Sequence, residues 1–125
     1  MKTTDYFTFA ACILILASCD IEVASDNKEQ LRKEFAHSAT STFKVWGNCE
    51  MCEETIEGSL NEPGIALADW NRTTKQISVN YDSTVFSLDD IQKKIAASGY
   101  DTEKYKADEE AYANLHECCQ YERKP

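Results

Sequence analysis

Apolar and polar positions settle into regular periods from Thr42 onward. "TFKVWG" (42–47) places Phe43 and Val45 on one face and predicts a strand ending at Gly47. Residues 50–61 change to helical spacing: Cys52, Ile56, Ser59 and Leu60 share one side, while Glu53, Glu54 and Glu57 face water. Gly58 weakens such a helix by about 1 kcal/mol relative to alanine, which points to close packing there. Pro63-Gly64 turns the chain. "IALADWN" (65–71) predicts a second strand, in which Ile65, Ala68 and Trp70 share the core face only through a bulge. "RTTKQ" turns into "ISVNY" (77–81), a third strand with clean alternation of Ile77, Val79 and Tyr81. Ser87 and Asp90 resemble a capping box that opens a helix carrying Leu88, Ile91 and Ile95, closed by Gly99. "YDTEKYK" (100–106) predicts a short fourth strand, and "DEEAYANL" (108–115) one or two last helical turns.

The order is β-α-β-β-α-β. Two right-handed crossovers of this kind build an α+β, ferredoxin-like sandwich: a four-stranded antiparallel sheet with two helices on one face. A short C-terminal helical extension follows.

The N-terminus changes the picture. Lys2 precedes an apolar run, Phe7–Leu16, of the length of a signal core and too short to span a bilayer as a helix. It ends in Leu16-Ala17-Ser18-Cys19, which resembles the bacterial lipobox. The expected organisation is a lipoprotein signal peptide at 1–18, a polar tether at 19–41, the folded domain at 42–106 and an extension at 107–125. Cys19 would be the lipidated first residue, anchoring the protein to a membrane in a bacterial cell envelope. A net charge of −9, from 13 Lys and Arg against 22 Asp and Glu, excludes phosphate-backbone recognition and hence nucleic acid as a partner. No Ser/His/Asp set, paired-carboxylate cleft or phosphate loop is visible, and no enzyme is expected.

Of six cysteines, Cys12 lies in the leader and Cys19 takes the lipid, so Cys49, Cys52, Cys118 and Cys119 remain. Export permits disulfides. "GNCEMC" (47–52) sits where a strand meets a helix, and three chemistries suit it. A thioredoxin-like dithiol would use the helix dipole to acidify its first thiol, but that fold places a cis-proline opposite the motif. Past it the chain has only Pro63 and Pro125. A closed structural zinc site needs four ligands, and the vicinal pair Cys118-Cys119 offers a poor bite. A soft-metal exchange site needs only two thiolates, and these select Cu(I) over harder ions. Thiol–disulfide exchange and a purely structural, bridged module are the alternatives.

Residues 42–106 resemble a heavy-metal-associated domain, the module of copper chaperones, metal-transporting ATPases and periplasmic mercury-binding proteins. The resemblance rests on Cys49 and Cys52, on Ile56, Ser59 and Leu60, on Gly64-Ile65, on Ala68 and Trp70, on Val79-Asn80-Tyr81-Asp82 and on Gly99-Tyr100. It implies that Cys49 and Cys52 bind Cu(I), with Hg(II) or Zn(II) as other cargo. It also implies a metal-transporting ATPase or another acceptor domain as partner, and a shielding role for Tyr100. Met51 would rim the loop. Where the family buries a methionine, this chain has Gly47, so the resemblance leaves support of the loop to Trp46 or Met51.

"HECC" (116–119) lies beyond that domain. A fourth strand of six or so residues would carry the chain ~20 Å away from the loop. A helix of about eight residues, rising ~1.5 Å per residue, could climb most of the way back. Cys118, Cys119 and His116 are therefore possible additional ligands; a disulfide to the CxxC is the competing reading. For the N-terminus, Cys19→Ala is expected to lose the acyl mass and to move from the detergent to the aqueous phase. Unchanged mass and partitioning would remove the lipid anchor.

Overall fold

The computed structural model describes residues 36–125; the signal segment, Cys19 and most of the tether lie outside them. Three strands form the sheet: β1 (Ser38–Lys44), β2 (Ile65–Asn71) and β3 (Gln76–Asp82), in the order β1-β3-β2 and antiparallel throughout. Helix α1 (Glu50–Gly58) joins β1 to β2, and α2 (Leu88–Ala97) follows β3. A short helix α3 (Glu109–Ala113) and a single 3-10 turn (Glu117–Cys119) complete the chain.

One core holds these layers together. Phe43 and Val45, Trp70, and Ile77, Val79 and Tyr81 point from one face of the sheet into a cluster with Ile56 and Leu60 of α1 and Ile91 and Ile95 of α2. Both helices therefore cover the same face, as the alternation along β3 demands. The β2 bulge lies between Ile65 and Leu67 and brings Trp70 opposite Ile77. The capping box is complete: Ser87 Oγ accepts from the Asp90 N–H, and the Asp90 carboxylate accepts from the Ser87 N–H. Gly99 ends α2 at φ 103°, a left-handed conformation that disfavours any side chain.

Five expectations are corrected, the last of them concerning the cysteine loop. The fourth strand is reduced to one bridge, Val45 with Thr102. Trp46 N–H donates to Asp101 O (2.9 Å) and Glu103 N–H to Lys44 O (2.8 Å). The chain then turns through Thr102–Tyr105, and Lys104 N–H is taken by the Gln92 side chain instead of a neighbouring strand. Strand β1 starts at Ser38, inside the expected tether. Apart from Ala39 its first residues are polar, and what pairs them is the backbone ladder together with Asn80, which accepts from Ser38 Oγ and donates to Thr40 Oγ1. Gly58 meets open space, so it serves no close packing. Glu57 does not simply face water: its Oε1 accepts the free-edge N–H of Trp70 (2.8 Å) and ties α1 to β2.

The support beneath the cysteine loop comes from Trp70, not from Trp46 or Met51. A Cβ on Gly47 would stand 2.9 Å from Trp70 Cη2 and 3.3 Å from Cys52 Cβ. Trp70 is fully buried, and its indole N–H donates to Val45 O (3.1 Å), which fixes the ring under the loop. Met51 is 45% exposed, and Trp46 lies under the Lys44 ammonium, 4.4 Å from the ring centre. Gly47→Ala should therefore cost about 1–3 kcal/mol by overpacking against a ring that cannot retreat. Urea denaturation reads that loss directly; an unchanged midpoint would mean the ring is not held as described.

Candidate metal centre

Cys49 occupies the N-cap position of α1 and Cys52 its first turn, so the strand-to-helix junction positions both sulfurs. Asn48 N–H points at Cys52 Sγ (3.4 Å). Cys52 is fully buried, whereas Cys49 is half-buried at the rim. The two sulfurs are 3.4 Å apart.

The C-terminal segment brings the other pair to the same place. Cys119 Sγ lies 3.5 Å and Cys118 Sγ 3.9 Å from Cys49 Sγ, and the two are 3.9 Å from each other. Cys49, Cys118 and Cys119 fall within 4.8 Å of one another, with Cys52 against Cys49. All four cysteines are free thiols. Thiolates at about 2.3 Å from one ion stand roughly 3.8–4.0 Å apart in tetrahedral or trigonal arrangement, close to these separations. The donors are all sulfur, with no carboxylate in the group, which suits soft ions and not Mg(II) or Ca(II). Burial pushes the Cys119 thiol well above its ordinary pKa, reinforced by Cys49 and Cys52, so an incoming ion must displace a proton there.

Around the sulfurs stand the remaining residues singled out by sequence. Met51 Sδ is 3.7 Å and His116 Nδ1 3.5 Å from Cys118 Sγ. Tyr100 is buried beneath the site; its hydroxyl has no hydrogen-bond partner. Burial, with Cys52 nearby, holds that phenol protonated far above its usual range.

What holds the tail here was missed in the sequence. Asp101 is fully buried: it receives Arg123 Nε (2.8 Å) and Nη2 (2.9 Å) and the backbone N–H groups of Ala107 (2.6 Å) and Lys124 (3.0 Å). Burial alone would raise its pKa, but the Arg123 guanidinium and the two backbone donors together hold it below the ordinary carboxylate value. Tyr121 stacks on Tyr100 with ring centres 5.7 Å apart, accepts from Asp101 N–H (2.6 Å) and donates to Gly99 O (3.0 Å). Gly99 also lets the tail approach: a Cβ there would stand 3.0 Å from Ala111 O. The available signal was the composition of "YERKP" (121–125), an aromatic and three charged residues one position after the cysteine pair.

A small α+β sandwich with free thiols gathered at its first strand–helix junction has the make-up of a soft-metal-handling module. The family model of the heavy-metal-associated domain matches residues 42–101. Among solved structures, a CopZ metallochaperone is 30% identical over 51% of this chain and 98% of its own, with a TM-score of 0.49. A putative copper-ion-binding protein from Bacillus anthracis str. Ames is 29% identical over 53% and 96%, with a TM-score of 0.50. The N-terminal domain of a potential copper-translocating P-type ATPase from Bacillus subtilis, in the Cu(I)-loaded state, is 27% identical over 52% and 84%, with a TM-score of 0.50. No curated protein gives a significant match. Residues 42–101 belong to the heavy-metal-associated domain family. The family match ends at Asp101, so the segment carrying Cys118 and Cys119 lies beyond it.

The Asp101 contacts give a pH dependence with a definite sign. Because the folded carboxyl is more acidic than the unfolded one, its contribution is complete above the ordinary carboxylate pKa of about 3.9. It is lost as pH falls through the lower folded value. Asp101→Asn should cost about 2–3 kcal/mol, under the roughly 3–5 of a fully buried pair because Arg123 is partly exposed. Hydrogen exchange at Tyr121 and Lys124 should rise in the variant at neutral pH, and in the parent only in acid. Equal protection in both proteins would remove Asp101 as the anchor.

Proposed function

We propose that this protein binds a soft metal ion, Cu(I), through Cys49 and Cys52, with Cys118 and Cys119 adding ligands from the tail. The observation that carries the reading is the gathering of four free thiols within 3.4–3.9 Å contacts around Cys49. Membership of a family of metal-binding modules, rather than enzymes, supports it. Soft thiolates favour Cu(I) over harder cations, while Hg(II) and Zn(II) also accept sulfur.

The tail changes how such an ion is held. A two-cysteine loop leaves coordination positions open to an acceptor. Here Cys119 is buried beside the loop and Cys118 lies over it, so the site favours retention. Handing the ion to an acceptor domain, such as that of a metal-transporting ATPase, requires the incoming thiolates to displace the tail. The protein would act in a bacterial cell envelope, anchored through a lipid on Cys19. Among the described residues no helix is long and apolar enough to cross a membrane.

Competition for Cu(I) against a chromogenic chelator tests the reading on reduced protein. Cys49→Ser should abolish tight binding. The pair Cys118→Ser/Cys119→Ser should weaken it by roughly 100-fold or more, since even partners outside the ligand shell are worth about 10–100-fold. Unchanged affinity in the double variant would take the tail out of the site, and absence of tight binding by the parent would end the reading.

A further inference from the structure

Six soft donors converge on this surface, more than one ion can use. A single tetrahedral or trigonal ion takes at most four ligands, all within about 4.6 Å of one another when each bond is about 2.3 Å. Cys52 lies outside the mutual reach of Cys49, Cys118 and Cys119. It contacts Cys49 at 3.4 Å, so Cys49 stands between an inner thiol and an outer one.

Cys118 is drawn away from the inner thiols. Its separations from Cys49 and Cys119, both 3.9 Å, are the longest sulfur–sulfur contacts of the group. Its contacts with His116 Nδ1 at 3.5 Å and Met51 Sδ at 3.7 Å are shorter. The two partners come from different elements: Met51 from the first turn of α1, His116 from the residue that precedes the 3-10 turn. All three side chains are exposed, while Cys52 and Cys119 are buried. The 3-10 turn is what parts the vicinal cysteines, sending Cys119 inward and Cys118 to the rim.

We propose that Cys118 Sγ, His116 Nδ1 and Met51 Sδ form a second, solvent-facing soft-metal subsite, with Cys49 Sγ bridging it to the inner site of Cys49, Cys52 and Cys119. The protein then takes two Cu(I) ions per chain. Thiolate, imidazole and thioether are each ligands for Cu(I), and a thiolate with several lone pairs can bridge two such ions. The outer position also faces solvent, so an ion exchanging with the inner site passes through it. This inference rests on the Cu(I) reading given above.

Anaerobic Cu(I) titration of the reduced protein, with copper counted by native mass spectrometry, tests it. The parent is expected to bind two ions and to show a copper–copper shell in X-ray absorption. Met51→Leu/His116→Gln changes only exposed side chains, so the fold, read by far-ultraviolet circular dichroism, is expected to stay intact. That variant should bind one ion, lose the copper–copper shell and keep the parent's affinity for the first ion. A parent that binds one ion, or a variant that still binds two, overturns the outer subsite alone. A parent that binds no ion overturns the Cu(I) reading as well, which separates the two failures.

Discussion

A single buried carboxylate organises the second half of this site. Asp101 directly follows the Gly99-Tyr100 pair at the end of the family domain, and its two oxygens gather donors from three points of the tail: Ala107, Arg123 and Lys124. A charge so placed is tolerated only when fully paired. The observed path of the tail satisfies all of these donors together. The same path lays Tyr121 on Tyr100 and sets Cys119 against Cys49. The placement of the Cys119 thiol thus follows from charge compensation some residues away.

Much of the fold was legible because the responsible signals are local. The alternation of Ile77, Val79 and Tyr81, the Ser87–Asp90 box and the glycine at position 99 each act within a few residues, and each is found where it was expected. Ser38–Ser41 was hidden because, with Ala39 its one apolar residue, its pairing uses mainly the backbone and Asn80. The fourth strand failed for a related reason: a residue pattern cannot reveal that Gln92 will capture the amide of Lys104.

The site divides in the same way. Cys49 and Cys52 were readable from spacing at a strand–helix junction, and the tail cysteines from reach alone. Neither spacing nor reach identifies the residues that make the site rigid. Trp70 lies 23 positions after Gly47 in sequence yet fills the space under it, and Arg123 finds Asp101 at a separation of 22 residues. Such long-range complementarity depends on shape and charge in three dimensions. A buried glycine facing a tryptophan is a jigsaw fit that leaves no periodic trace.

The distance along the chain between the two cysteine pairs has a consequence for the polymer itself. Cys49 and Cys119 are 70 positions apart, so an ion ligated by both closes a loop spanning most of the folded chain. A permanent covalent link of that span would remove chain entropy from the unfolded state on the order of 4 kcal/mol. A bound ion acts in the same sense for as long as both ends hold it, since the unfolded chain rarely presents the pairs together. An ion held in this way would also be a removable staple: it would close the chain into a loop, and its release would reopen it.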